Sequence, residues 1–238
     1  MPPPSAFRSP RATPTHPRIM VWARCGRRVL AALCGVILGV GLGDAALEVS
    51  DALLARVEQK YGTEARGRVE TWRTLLQTAQ TLPEMEKLRA VNNFFNRYIE
   101  FVDDIFHWHQ EDYWATPIES LGTGGGDCED FAIAKYFTLL ALGVAEDKLR
   151  MTYVKALQLN QAHMVLTYFA TPRAVPLVLD NLIPDIKPAS QRNDLLPVYS
   201  FNGTGLWIAK ARGEGKRVGG AERLSLWQAL QARMQAPL

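Results

Sequence analysis

The chain has 238 residues, enough for one or two domains and a substantial hydrophobic core. At 47% hydrophobic and 21% charged residues it is neither a disordered polymer nor a multi-span membrane protein. The formal charge of +3 belongs to the start, where residues 1–43 hold six arginines and no acid; residues 44–238 have 21 bases against 24 acids, which excludes the basic footprint of a general nucleic-acid binder.

That acid-free start reads as a targeting segment. Arg24, Arg27 and Arg28 precede an apolar run from Val29 to Leu42, and Gly43, Ala45 and Ala46 supply small residues after it, the layout of a secretory signal peptide. The run has 14 residues, short of the roughly 20 that span a bilayer, so export is expected and an uncleaved anchor is the alternative. A lipoprotein signal is disfavoured because Leu33, before Cys34, is bulky. Residues 1–19 are rich in Pro and Arg and resemble no signal start, whereas Met20 puts a compact basic region directly before the apolar run; Met20 is the expected initiator. Residues 44–238 are then expected to form a single domain with no stable membrane insertion. Cys25 and Cys34 fall in the part expected to be lost, which leaves Cys128 as a lone thiol: a small buried hydrophobe or a reactive group, without a disulfide framework.

From Val49 to Phe106 the apolar spacing is helical. Ser50-Asp51 can cap a first helix with Leu53, Leu54 and Val57 on one face; Gly62-Thr63 separates it from a second with Val69, Trp72, Leu75 and Leu76; Leu82-Pro83 opens a third whose stripe is Leu88, Val91, Phe94, Phe95, Tyr98, Ile99 and Val102. An aromatic and acidic loop, Asp103 to Trp114, leads through Pro117 to the run Gly122-Thr123-Gly124-Gly125-Gly126. A phosphate cradle is excluded there, because Asp127-Cys128-Glu129-Asp130 stands where Gly-Lys-Ser/Thr would be needed. The glycines instead permit a tight entry into a helix from Cys128 to about Leu142, apolar nearly all round and ended by Gly143. Cys128 at that helix N-terminus is placed where unpaired N–H groups favour thiolate and can receive an oxyanion.

Beyond Gly143 the period changes to two. Met151 to Ala156, His163 to Phe169 and Val175 to Asp180 read as strands, Pro197 to Phe201 and Gly205 to Ala209 as a hairpin about Asn202-Gly203, and Ala221 to Met234 as a closing amphipathic helix. Lys210 to Arg217 reads as a solvated linker. The expected class is α+β, an N-terminal helical lobe with the Cys128 helix packed on an antiparallel sheet.

Among the histidines, His107 and His109 sit in the loop, and zinc there lacks a second pair of ligands. His163 lies on a strand, and Asp180 ends the next apolar strand, where a carboxylate needs a partner. If those strands are neighbours, Asp180 can orient the His163 ring and the other ring nitrogen can reach Cys128, the logic of nucleophile, base and orienter. A capping role for the acids is equally open at this stage, with Asp127 as N-cap and Asp130 three residues on. Trp114 fits aromatic packing under the glycine-rich loop.

The segment Gly-Asp-Cys-Glu-Asp-Phe-Ala-Ile-Ala-Lys-Tyr-Phe (126–137), with Asp-Tyr-Trp-Ala-Thr-Pro (112–117), Ala-His-Met-Val-Leu (162–166) and Leu-Asp-Asn (179–181), resembles the bacterial transglutaminase-like cysteine proteinases. The resemblance spans roughly residues 50–210. It implies a papain/transglutaminase-like fold, a periplasmic enzyme, and Cys128 as nucleophile, His163 as general base and Asp180 as orienter. It further implies cleavage of a large surface adhesin near its N-terminus, which would promote biofilm dispersal, and control by an inner-membrane receptor for cyclic di-GMP. Calcium dependence is implied too, with Asp127, Glu129 and Asp130 as metal residues; a hard divalent ion would offset the charge those acids place beside a nucleophile. Two other functions remain open on the same residues: a transglutaminase or acyltransferase using an amine acceptor, and a non-catalytic binding module.

Overall fold

The structure, a computed structural model, describes residues 49–208, 215–236 and 238. The expected targeting segment, with Met20, Cys25 and Cys34, lies outside the described residues. Among those described, no helix is long and apolar enough to cross a membrane.

Local signals set the helical lobe. Helix α1 (Asp51–Tyr61) begins where the Ser50 hydroxyl accepts the Leu53 N–H at 3.2 Å. It ends at Gly62, whose φ of +90° an L side chain rarely adopts. Helix α2 (Thr63–Thr78) follows at once, and α3 (Glu84–Tyr98) starts after Pro83. Their apolar faces bury Leu54, Val57, Val69, Trp72, Leu88, Val91 and Phe95. Each such aliphatic or Phe side chain, once fully removed from water, contributes about 1.5–3 kcal/mol.

Helix α3 stops at Tyr98, short of the Val102 expected on its stripe, because the chain turns extended at Ile99 and forms a two-residue strand β1 (Glu100–Phe101). The stretch read as a loop and a glycine run then holds short helices α4 (Asp104–His107) and α5 (Pro117–Thr123). Strand β2 (Gly125–Gly126) then pairs in parallel with β1. Helix α6 (Cys128–Ala141) comes next, ended by Gly143 at φ +81°.

Seven antiparallel strands form the sheet: β3 (Leu149–Ala156), β4 (Gln161–Tyr168), β5 (Leu177–Leu179), β6 (Lys187–Pro188), β7 (Leu195–Asn202), β8 (Gly205–Ile208) and β9 (Lys216–Gly219), in the spatial order β6-β5-β4-β3-β7-β8-β9. The β7–β8 turn centres on Gly203-Thr204, one residue later than expected, because the Asn202 side chain accepts the N–H groups of Thr204 and Gly205 and so belongs to the strand end. Lys216 and Arg217, expected in a solvated linker, pair with β8. Helix α7 (Ser225–Gln235) closes the chain, its Trp227 stacked on Phe137 of α6 at 5.7 Å.

Helix α6 is therefore central, packed on β4 and β3 on one side and α3 on the other. That explains its all-round apolar surface. In β4, Met164, Leu166 and Tyr168 join the main core while Val165 packs with Val154 and Val178 in a second cluster on the opposite face. With both faces covered, the strand reads as a continuous buried run from His163 onward. The architecture is the expected α+β arrangement.

Candidate active site

The approach to Cys128 is built by α5 and the glycines. A capping box starts α5: Thr116 Oγ1 accepts the Glu119 N–H at 3.2 Å and Glu119 Oε2 accepts the Thr116 N–H at 2.8 Å, with Pro117 in the first turn. Arg68 from α2 ties down its end, donating to the carbonyls of Leu121 at 2.6 Å and Gly122 at 2.8 Å. At Gly126 a Cβ would lie 2.6 Å from Asp130 Oδ2, so only glycine lets the chain run this close to the first turn of α6. Asp127 then occupies the N-cap position, yet its side chain makes no capping bond. Asp130 has a tertiary tie: its Oδ1 accepts the Ala115 N–H at 2.7 Å, pinning the segment before α5 to α6. The capping reading thus fails for the Asp127 side chain.

At the open edge of β4, Cys128 meets the Met164 N–H, and His163, the residue before Met164, pairs with Asp180. Strand β5 pairs with β4 only over Leu166 to Tyr168, so the part of β4 nearer its start is uncovered on that side. There the Met164 N–H points at Cys128 Sγ, 3.3 Å away. His163, the residue before it, uses Nε2 to meet Asp180 Oδ1 at 2.7 Å, which leaves Nδ1 as the free ring nitrogen. Asp180 comes directly after β5, so the antiparallel neighbour relation of the two strands brings this pair together. Both are buried, at 4% and 1% exposure.

A residue without a sequence signal completes the pair. Arg192, in irregular chain after β6, donates through Nη2 to Asp180 Oδ2 at 2.6 Å and to Asp194 at 2.8 Å. The Leu182 N–H reaches Asp180 Oδ1 at 3.1 Å. Burial alone would raise the Asp180 pKa, but the His163 hydrogen bond and charge, with Arg192 and Leu182, win and hold it at about 2. Asp180 is an ionised buried carboxylate that accepts three hydrogen bonds.

The thiol differs from the expectation drawn from the helix N-terminus alone. Burial, then the charges of Glu129 and Asp127, push Cys128 well above the ordinary thiol value, and Sγ donates to Glu129 Oε2 at 3.0 Å. Carboxylates at this distance outweigh the partial charge of a helix end. Without a counter-charge the sulfur is a protonated thiol.

The acids form a larger set than the sequence pointed to. Asp127 and Glu129 flank the sulfur; Asp104, Asp127 and Asp130 form one group of oxygens within 4.8 Å of one another, and Asp104, Asp112 and Glu129 form another. Asp104 and Asp112 come from the acidic stretch upstream of α5, where only the tertiary fold reveals their convergence. Asp104 is buried, and one oxygen accepts the Tyr113 N–H. Burial and the charge of Glu129 raise both Asp104 and Asp112 to about 6, and burial with the charges of Glu129, Asp130 and Asp104 raises Asp127 to about 10. Asp104 Oδ1 and Asp127 Oδ1 are buried with no hydrogen-bond partner among the described residues. Unpaired carboxylate oxygens crowded in this way suit a hard divalent cation, whose ligands are oxygens.

A cleft of about 720 Å³ opens over the sulfur, lined by Phe101, Trp114, His163, Tyr153, Tyr199 and Leu182 among others. Trp114 stacks on Phe201 at 5.4 Å and borders this cleft, so it packs and faces the site at once. His107 bonds Thr123 Oγ1 at 2.9 Å and packs over Gly125, a structural role. Among the described residues neither His107 nor His109 belongs to a cluster able to hold a metal.

Comparison with known proteins agrees with this geometry. Residues 54–209 match the family described as bacterial transglutaminase-like cysteine proteinase BTLCP. Among solved structures, LapG of Legionella pneumophila is 44% identical, with 79% of this chain and 98% of that one covered and a TM-score of 0.68. Its calcium-bound form is 45% identical over 79% and 100% of the two chains, TM-score 0.68, and its EGTA-treated form 45% identical over 79% and 98%, TM-score 0.69. No curated protein matches the chain.

Proposed function

The chain belongs to the bacterial transglutaminase-like cysteine proteinases, and from that premise we propose that it is a calcium-dependent endopeptidase using Cys128 as nucleophile, His163 as base and Asp180 as orienter. One observation carries the reading: Cys128 Sγ lies against the Met164 N–H while the neighbouring His163 ring is fixed through Nε2 by an ionised, buried Asp180. With Nε2 donating to the carboxylate, Nδ1 is the acceptor. It takes the thiol proton as the sulfur attacks a peptide carbonyl, and the resulting imidazolium gives the proton to the leaving amine. The Cys128 N–H, at the start of α6, stabilises the developing oxyanion, and water releases the acyl-enzyme. The stacked Trp114 and the aromatic walls of the cleft seat the chain being cut and exclude water from the sulfur.

Calcium is supported by the convergence of Asp104, Asp112, Asp127, Glu129 and Asp130, and by a relative at 45% identity that was solved with calcium bound. A bound divalent ion supplies positive charge to this acidic set. Asp104, Asp112, Asp127, Glu129 and Asp130 would hold such an ion, and its charge would offset the carboxylates that raise the Cys128 pKa.

The substrate we propose is a large surface adhesin cut near its N-terminus in the periplasm, with biofilm dispersal as the outcome and sequestration by an inner-membrane cyclic-di-GMP receptor as the control. Family membership and the signal-like layout of the sequence over residues 24–46 support this. The test is incubation of the chain with N-terminal fragments of candidate adhesins, with calcium and with EGTA, and weighing of the products by mass spectrometry. Two fragments that require calcium and Cys128 are expected. A single heavier adduct would make the enzyme an acyltransferase, and an intact fragment under every condition would refute the adhesin as substrate.

A further inference from the structure

Asp180 stands one residue past the end of β5, a strand of three residues whose last pair with β4 is Leu179 with Leu166. Residues 180–186 are irregular chain, and β6 starts only at Lys187. A strand this short leaves the residue after it without a ladder to fix its backbone. The Asp180 carbonyl is nevertheless held: Asn96 of α3 donates to it through Nδ2 at 2.7 Å. One turn back on the same face, Asn92 donates through Nδ2 to the Pro184 carbonyl, also at 2.7 Å. Two side-chain amides of one helix thus take hold of both ends of the segment 180–184.

Asparagine is a weak helix former and an amide is costly to bury, so neither residue serves α3 itself. Asn92 is fully buried, and the Oδ1 atoms of both are buried with no hydrogen-bond partner among the described residues. A leucine at either position would extend the apolar face of Leu88, Val91 and Phe95 without that penalty. What the two amides hold is what distinguishes them. Pro184 is not among the residues lining the cleft, whereas Asp180 carries the carboxylate that meets His163 Nε2 at 2.7 Å. Only two side-chain torsions separate the Asp180 backbone from that carboxylate, so a shift of the backbone is carried to Oδ1. His163, Arg192 and the Leu182 N–H hold the carboxylate end. Asn96 holds the backbone end, and it does so from a helix packed on α6, which bears Cys128.

We propose that Asn96 is a positioning residue of the active site: its amide ties the Asp180 backbone to α3, so that the carboxylate stands in register with His163 and both are referred to the helix that presents the sulfur. The inference rests on the peptidase reading above, because an orienting carboxylate matters only if His163 works as a base. Asn92 makes the same kind of bond at the far end of the segment and is the internal control, since it secures the chain without touching the residue that orients His163.

Two measurements on Asn96→Leu and Asn92→Leu test it, both in the calcium-loaded full chain. Each variant leaves one carbonyl without its donor, so both are expected to lower the thermal midpoint by similar amounts. On a fluorogenic peptide carrying the bond mapped in the adhesin-fragment experiment, Asn96→Leu should lose roughly tenfold or more in kcat with KM within about twofold of the parent, and Asn92→Leu should keep kcat within about twofold. A parental kcat in Asn96→Leu, equal losses in the two variants, or an effect confined to KM overturns the proposal. Independently of any substrate, the proton on His163 Nε2 is followed by NMR in chain labelled with nitrogen-15 histidine. It is expected downfield and slow to exchange in the parent and in Asn92→Leu, and moved upfield or lost to exchange in Asn96→Leu. One signal common to all three proteins, its loss in both variants, or its absence from the parent overturns the proposal. If Asn96→Leu does not fold, Asn96→Ala takes its place with the same outcomes. If the parent cleaves nothing, the peptidase reading fails, while the NMR comparison still decides whether Asn96 places Asp180.

Discussion

Replacing Asp180 with Asn separates the stabilising role of the carboxylate from its catalytic one, and pH tells them apart. In the folded chain Asp180 titrates at about 2, against an ordinary 3.8, because its bonds to His163, Arg192 and Leu182 outweigh the burial that would raise it. At about 1.4 kcal/mol per pH unit, that difference stabilises the fold by about 2 kcal/mol. The sign is that of a depressed pKa: the contribution is complete above the unfolded value near 3.8 and is lost as pH falls toward the folded value near 2. The Asn variant keeps an acceptor for the imidazole but turns an amide N–H toward the buried guanidinium of Arg192, which retains Asp194 as a partner. Urea unfolding of both proteins should show a gap of about 2 kcal/mol near neutral pH that closes as pH approaches about 2. The same variant should lose roughly 10²- to 10⁴-fold in kcat with little change in KM, since imidazolium stabilisation is a transition-state effect. A stability gap that stays constant down to acid pH, or turnover that survives, would refute the reasoning about Asp180.

The acidic cluster and the glycine turn lead to further outcomes. Calcium binding should release protons at neutral pH, roughly one per ion, because Asp127 holds its proton up to about 10 without a cation; calorimetry in two buffers of different ionisation enthalpy reads this, and equal enthalpies would contradict it. Glu129→Gln should speed iodoacetamide alkylation of Cys128 in calcium-free protein, since it removes the nearest charge holding the thiol protonated, and should weaken calcium binding. An unchanged alkylation rate, read by mass spectrometry of the Cys128 peptide, would contradict the part assigned to Glu129 and leave burial and Asp127 as the causes. Gly126→Ala should destabilise by about 1–3 kcal/mol, because its Cβ would meet Asp130 at 2.6 Å, and thermal unfolding measures the loss.

Periodicity made helices α1, α2, α3, α6 and α7 and strands β3, β4, β5, β7 and β8 visible in the sequence, because amphipathic faces against one core impose it, whereas the short edge strands β6 and β9 were not read. The Cys128 helix was legible from its apolar composition and its glycine entry, and the His163 to Asp180 pairing from two strands adjacent in chain and space. Helix α5 was not read, although Thr116-Pro117 with Glu119 is a capping-box signature; the glycine run beside it masked seven residues of helix. Strands β1 and β2 have two residues each and carry no period at all. Asp104 opens a helix of one turn, and Asp112 and Arg192 stand in irregular chain. In such segments no local pattern marks a side chain as converging on a distant one, so only tertiary structure identifies them. The thiolate expectation at the start of α6 weighed a helix end without the burial of the sulfur, which raises its pKa most, or the contact with Glu129.

The account depends on a covalent bond forming at one sulfur. Calcium-loaded chain mixed with its cleavable fragment and quenched in acid within the first turnover should yield, by peptide mass mapping, the N-terminal product joined to Cys128 as a thioester. Fragments that accumulate with no adduct on Cys128, and at an undiminished rate in Cys128→Ala, would contradict it.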